Sequence, residues 1–319
     1  MNMAFFGSYD DDTLRKLTGG KTVSPVLGFG KAEGDNTGRL NNNSGNFSIS
    51  GSQTKYSVLI RNGHFALTGP GQQGTHIVKP CLLDFGNRKD SPENEHLTMQ
   101  IANRVFNIVT AANALCFFED GEPAYITKRY DIADDGTKIA QEDLAALGGV
   151  TSEKYGKDFK YTALSYEDLG HIIRRFIPSW RVEMVKFFDL ILFNFLFSNG
   201  DAHLKNFSVL KSSDGDYKLS PAYDLMNTRI HLPDDSIFGL KKGLFPDGRT
   251  FPLRLDHKAF SEFGLHLGLP EKVVKTELER FCADYPEIED MVNRSFLSEN
   301  VKEDYYKYYH YRLVSLLRA

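Results

Sequence analysis

From Met184 to Phe197 the chain reads MVKFFDLILFNFLF, apolar around nearly the whole circumference of a helix. Such a helix belongs at the centre of a lobe, with other elements packed around it, rather than on a surface. Its longest apolar part, Phe187 to Phe197, still carries Asp189 and Asn194 and is about half the length of a membrane span. The fold must therefore provide a body large enough to enclose this segment. The chain then turns polar at once: SNGDAHLKNFSVL, residues 198–210, sets Asp201, His203, Lys205 and Asn206 within six positions. Loops leaving a core are commonly polar, so the spacing carries more information than the polarity.

A length of 319 residues exceeds the roughly 250–300 at which single cores stop growing, which predicts two lobes. The net charge of -4 argues against binding duplex nucleic acid through a strongly basic face. Cys81, Cys116 and Cys282 are far apart and odd in number, so neither a disulfide framework nor a CxxC metal site is indicated. The opening MNMAFFGSYDDD lacks the basic and apolar regions of a signal peptide. The expected location is the cytoplasm, with no membrane partner.

Residues 31–46, KAEGDNTGRLNNNSGN, predict a mobile loop. NFSISGSQTKYSVLIRNGHFALT follows, two β-rich runs joined at Asn62-Gly63, the favoured dipeptide of a tight hairpin. The polar bend at Gly51 precedes the second half and suits a phosphate-covering loop. Lys55, where a half-exposed strand begins, reads as an ordinary lysine. THIVKP predicts a strand carrying Lys79, and ENEHLTMQIANRVF has Leu97, Ile101, Val105 and Phe106 at near-helical spacing, putting Glu95 at a helix start. PAYITKRYDI reads as a strand, EDLAALGG and YEDLGHIIRRFI as helices. The last helices include KVVKTELERFCADY and VKEDYYKYYHYRLVSLL, whose aromatic cluster at 305–311 reads as helix packing rather than a base-stacking surface.

Phosphoryl transfer asks a protein to position the γ-phosphate, neutralise charge with Mg²⁺ and a lysine, and place a carboxylate beside the incoming hydroxyl. A protein-kinase catalytic loop has a base Asp with a metal-ligating Asn five positions on, the spacing of Asp201 and Asn206. Asp224, in Tyr-Asp-Leu, stands where a second metal-binding carboxylate follows a further strand. Lys79 and Glu95 stand in the order of the lysine that contacts phosphates and the helix glutamate that orients it. Lys205 either balances charge on the transferring phosphate or is merely solvated. His203 reads as a loop-stabilising histidine that hydrogen-bonds backbone, since a metal-ligand role would need partners the sequence does not supply. Alone, Asp201 to Asn206 is a polar loop; the order of bend, Lys, Glu, D-x4-N loop and later Asp gives it meaning.

On these residues the sequence resembles the HipA-like serine/threonine kinases, toxins of bacterial toxin–antitoxin modules. NGDAHLKNFSVL is similar to the family's catalytic loop, PAYDL to its metal-binding motif, FSISGSQTKYSVLI to its Gly-rich loop, and HIVKP with NEH to its Lys and Glu. ITKRYDI resembles the segment joining the lobes, whose backbone meets adenine. The likeness is strongest to the short HipT-type toxins, in which a separate small HipS-like protein supplies the N-terminal domain and a helix-turn-helix antitoxin contacts DNA.

The resemblance implies an α+β, two-lobed protein-kinase-like fold, with a β-rich N-lobe over 1–127 and a helical C-lobe over 128–319. ATP and Mg²⁺ would lie between them. Asp201, Lys205 and Asn206 are the implied catalytic residues, and Asn206 and Asp224 the metal ligands. Lys79, Glu95, Ser50, Gly51, Lys128, Tyr130, Asp131 and His203 are the implied ATP-side residues, and Ser48 and Ser50 the autophosphorylated serines. The implied substrate is a protein such as an aminoacyl-tRNA synthetase. The chain lacks GxGxxG, HRD and DFG as written in ordinary kinases. The competing expectations are a small-molecule phosphotransferase and a nucleotide-binding pseudokinase.

Overall fold

A computed structural model describes residues 11–31, 54–81, 89–248 and 255–318. Ser48, Ser50, Gly51 and all of the predicted 31–46 loop except Lys31 lie outside the described residues.

The first lobe is built on an antiparallel sheet of β1 (Tyr56–Arg61), β2 (His64–Leu67), β3 (His76–Pro80), β4 (Asn113–Phe117) and β5 (Pro123–Lys128), in the order β2-β1-β3-β5-β4. The Asn-Gly signal forms the expected turn. Asn62 and Gly63 have φ of 52° and 75°, and Arg61 pairs with His64, so both central residues adopt the left-handed backbone a two-residue hairpin demands. Tyr56, Val58, Phe65 and Val78 point from this sheet into a core shared with Leu17 and Phe118. Leu17 comes from α1 (Asp11–Thr18). α2 (Ser91–Arg104) packs against β4 and β5.

The second lobe surrounds the nearly all-apolar helix α4 (Trp180–Leu196). Phe187, Phe188, Ile191, Phe193 and Phe195 are each at most 1% exposed. α3 (Tyr166–Phe176), α5 (His257–His266), α6 (Glu271–Phe281), α7 (Pro286–Arg294) and α8 (Glu299–Leu317) complete this lobe, with Phe260 and Phe263 of α5 meeting Phe195 and Phe188. Tyr305 and Tyr309 of α8 are buried in it, while Tyr311 is exposed, so the aromatic cluster is packing on one face only.

One expectation is corrected. EDLAALGG is not one helix: Gln141–Asp143 is a strand, β6, that pairs with β7 (Ser208–Lys211), itself paired with β8 (Tyr217–Leu219). Only Leu144–Leu147 is helical, capped by Asp143, whose carboxylate accepts from the Ala146 amide at 2.8 Å. Pairing with a strand some 65 residues on overrides the local helical preference, as tertiary context often does.

Candidate active site

Lys79 is placed by β3, where it lies opposite Tyr125 with Nζ 5.3 Å from the ring centroid. Its ammonium donates to Glu95 Oε1 at 2.6 Å and also to Asp224 Oδ1. Residues separated by 145 positions thus meet at one buried cation. Glu95 occupies the second turn of α2, whose start is set by Pro92 in the first turn. Asp224 follows a segment pinned to the first lobe by Ala111 N–H to Ala222 O, 2.9 Å, and Ala222 N–H to Val109 O, 2.8 Å. Its φ of 55° is left-handed, a strained state for a non-glycine residue that the surrounding contacts must hold.

Burial alone would lower the Lys79 ammonium, but Asp224 and Glu95 outweigh it and hold the pKa above its ordinary value. Burial would raise Asp224, yet Lys79 and then Lys55 hold it well below the usual carboxylate range. Burial pushes Glu95 up to about 7 against the pull of Lys79. Asp224 is therefore a fixed anion at neutral pH.

The loop after α4 is held by hydrogen bonds instead. Ser198 leaves the helix with φ 51°, and its carbonyl accepts from Thr228 Oγ1 at 3.0 Å. Asn199 donates to Asn194 Oδ1 at 2.8 Å and to the Asp224 carbonyl at 3.4 Å, while its own oxygen accepts from the Asp201 amide at 3.2 Å. Asn206 Nδ2 donates to the Asp201 carbonyl at 2.9 Å, which leaves Asn206 Oδ1 to accept or to ligate. Asp201 Oδ1 accepts from Tyr161 OH at 2.7 Å.

The structure gathers Lys79, Glu95, Lys128, Tyr130, Asp131 and Asp224 around one cavity of about 330 Å³. Tyr130 lies beside Tyr223, ring centroids 5.5 Å apart. The Asp131 carboxylate is engaged by Arg129 at 2.9 and 2.6 Å, and Lys128 Nζ lies 3.2 Å from Asp134. His203 is buried with Nε2 3.3 Å from Lys160 Nζ, and its Nδ1 has no partner among the described residues. Burial, then Lys160, lowers its pKa to about 3, so the ring is neutral. Lys205 is half-exposed, 3.8 Å from Asp143.

Four residues passed over or undervalued in the sequence belong to this site. Lys55 lines the cavity and is buried enough that desolvation lowers its pKa, contrary to its reading as an ordinary lysine. Tyr161 and Asn199 bind Asp201. Asn94 clamps the helix of Glu95 to the chain beyond Asp224: its Nδ2 donates to Asn227 O at 2.9 Å and its Oδ1 accepts from Asn227 N–H at 3.0 Å. Asn94 opens the NEH motif and Asn199 opens NGDAHLKNFSVL, which were the available signals for them; Lys55 and Tyr161 carry no such motif.

The donor set suits Mg²⁺ bound together with a nucleotide. That ion is commonly held by one or two carboxylates plus substrate phosphates rather than by an all-protein cage. Ionised Asp224 and the available oxygen of Asn206 are hard oxygen donors. Among the described residues no group of three or more His, Cys, Asp or Glu is set to hold a metal alone. Among them, too, no helix is long and apolar enough to cross a membrane.

Comparison with known proteins places this site in context. Residues 47–288 match the HipA-like C-terminal domain. A Sinorhizobium fredii protein named "Putative kinase Y4mE" is 32% identical over 192 residues, covering 59% of this chain and 43% of that protein. A Haemophilus influenzae protein named "Putative kinase" is 26% identical over 97% of this chain and 92% of its own length. This chain thus spans less than half of the first relative and nearly all of the second. Among solved structures, the Shewanella oneidensis HipA of a complex with HipB and operator DNA superposes with a TM-score of 0.64 at 22% identity, over 84% of this chain and 64% of that one. The Helicobacter pylori proinflammatory kinase CtkA superposes with a TM-score of 0.53 at 15% identity, over 84% and 92%. Both likenesses support the two-lobed kinase-like fold.

Proposed function

Because this chain belongs to the HipA-like C-terminal domain family, we propose that it is a kinase that transfers the γ-phosphate of ATP to a serine or threonine hydroxyl of a protein. The observation that carries this reading is Lys79 bridging Glu95 and Asp224 at the wall of the cavity. Lys79 and Lys55 supply positive charge where phosphates would lie. Glu95 holds Lys79 in place. Asp224 and Asn206 would hold Mg²⁺, which when bound neutralises charge on the phosphates. Asp201, fixed by Tyr161 and Asn199, orients the incoming hydroxyl and accepts its proton. Tyr130 and the backbone from Lys128 to Asp131 line the nucleotide side, with His203 a neutral neighbour and Lys205 free to swing from Asp143 toward the acceptor.

The finer reading follows the family. The division of lobes is at 127/128, Ser48 and Ser50 accept phosphate from the chain itself, and the activity is that of a cytoplasmic HipT-type toxin. Its protein substrate is of the aminoacyl-tRNA synthetase kind. Its partners are a helix-turn-helix antitoxin, through which alone it meets DNA, and a small HipS-like protein. Incubating the chain with labelled ATP and Mg²⁺, with and without a cell lysate, tests this. Label must enter protein with wild type and not with Asp201→Asn; equal labelling by both would overturn the reading.

A further inference from the structure

Away from the cavity, two arginines lie against α8 without a counter-charge: Arg229 over Tyr308, and Arg312 one turn on, bonded to Ser198, whose carbonyl accepts from Thr228 beside Arg229. Arg312, on α8, is only 4% exposed; Nε donates to Ser198 Oγ at 3.3 Å, while Nη2 is buried with no partner. Arg229, in the turn Thr228–Ile230, stacks on Tyr308 with its guanidinium 5.3 Å from the ring centroid, and its Nε is likewise buried and unpartnered. Tyr308 precedes Arg312 by one helical turn, so both guanidiniums lie on one face of α8. No carboxylate pairs with either among the described residues. Burial, then the nearby charge of Arg229, lowers the Arg312 pKa to about 10.

Burying the Arg312 guanidinium with only a second, partly exposed arginine near it is costly, and water could satisfy the unpartnered N–H groups without relieving the charge. An oxyanion does both, since guanidinium forks match phosphate oxygens in charge and geometry. We propose that Arg229 and Arg312 form a binding site for a phosphate-type oxyanion. Arg229 lies five residues beyond Asp224, and Ser198, bonded to Arg312, three before Asp201. The anion would fasten α8 to the roots of both segments. The phosphate would come from free inorganic phosphate or from a phosphorylated side chain of the protein. The site stands apart from the proposed kinase activity and would exist without it.

Crystals grown with arsenate, a phosphate analogue, or with selenate, a tetrahedral oxyanion with an anomalous signal, should show a peak about 2.7–3.2 Å from nitrogens of both guanidiniums. In solution, phosphate should raise the melting temperature over chloride at equal ionic strength, by roughly 4–8 °C at a hundredfold excess over Kd. Arg229→Gln should abolish that rise and Arg229→Lys weaken it. Lys55→Met should keep it, which separates this site from the cavity. Phosphatase-treated and untreated protein distinguish the sources: density at the site without added anion, lost on treatment, identifies a phosphorylated side chain, whereas density only on addition identifies free phosphate. A selenate peak without any thermal shift would mean an adventitious ion only and would overturn the proposal. So would selenate confined to the cavity, or water alone between the two arginines.

Discussion

Lys79 and Arg312 are both cations buried in the protein, and they are treated in opposite ways. Lys79 has two carboxylates in contact, brought from α2 and from beyond β8, and its charge is reinforced. Arg312 has a hydroxyl, an aromatic ring 5.2 Å away in Phe195 and a second arginine nearby, and its charge is weakened. Desolvation acts on both; the partners decide the outcome. A buried cation with its counter-charges in place is ready to meet a further anion only by exchanging partners. A buried cation lacking them has its capacity still unspent. The first arrangement suits a site through which substrates turn over, the second a site that an anion occupies and holds.

The comparison breaks most severely at Asp224. Asp224→Asn removes both an anchor of Lys79 and the proposed metal ligand, so phosphate transfer should fall by on the order of 10³-fold, with Mg²⁺-dependent ATP affinity falling too. Asp201→Asn should cost as much in rate and leave that affinity near wild type. Calorimetry of nucleotide binding beside a label-transfer assay checks the pair; equal loss of affinity in both variants would remove the division of labour between them.

Next in size is Lys79→Met, which strands Glu95 and Asp224 together in a buried site. Removing one partner of a buried ion pair costs about 3–5 kcal/mol. The cost should depend on pH with a definite sign. Burial already raises Glu95 to about 7, above its unfolded value, so the folded variant is favoured where Glu95 is protonated and loses stability as pH rises through that range. Urea midpoints at pH 6 and pH 8 should therefore separate more widely for Lys79→Met than for wild type. A variant as stable as wild type at pH 8 would show that the two carboxylates do not depend on Lys79.

Much of this network could be read in the sequence because strands and helices announce themselves by period. HIVKP is a short β-branched run closed by a proline, as strands often are, and ENEHLTMQIANRVF repeats as a helix must, so Lys79 and Glu95 fall on the right elements. Asn62-Gly63 was legible for a similar reason, since few other pairs tolerate two left-handed residues in succession. Asn94 was not, because its value lies in a backbone 133 residues away. Lys55 was misjudged because local text cannot show that the residue just before a strand lines the cavity with Asp224 instead of facing solvent. β6 was misread because its partner, β7, comes some 65 residues later in the chain, after the central helix. Arg312, in YHYRLVSLL, looked like an ordinary position of an amphipathic helix.

A smaller effect concerns His76, whose Nε2 lies 2.8 Å from the Leu17 carbonyl and whose Nδ1 lies 2.9 Å from Thr75 Oγ1. Burial lowers its pKa to about 4. The unfolded chain binds a proton near pH 6.5 and the folded one only near 4, so stability is present above 6.5 and falls as pH drops through this window. The loss by pH 4.5 should be about 2–3 kcal/mol for this one residue. Denaturant titrations at pH 7 and 4.5 should show a correspondingly smaller pH dependence for His76→Gln. An unchanged dependence would mean that His76 is protonated in the folded protein.

The smallest effect is the sharpest test of the comparison. Arg312→Leu deletes a buried charge as Lys79→Met does, yet it leaves no carboxylate behind, and Arg229 loses a repulsive neighbour. The weak hydrogen bond to Ser198 and the contact with Phe195 are lost, while the desolvation cost of the guanidinium disappears. In chloride buffer these terms nearly cancel, so stability should change by less than about 1 kcal/mol in either direction. In phosphate buffer the two proteins should diverge, because only the wild type gains from an anion held between two arginines. Chemical denaturation of both proteins in matched chloride and phosphate buffers reads this directly. A loss of about 3 kcal/mol or more in chloride would show that Arg312 already has the partners it needs, and the contrast with Lys79 would then lie in the identity of those partners rather than in their absence.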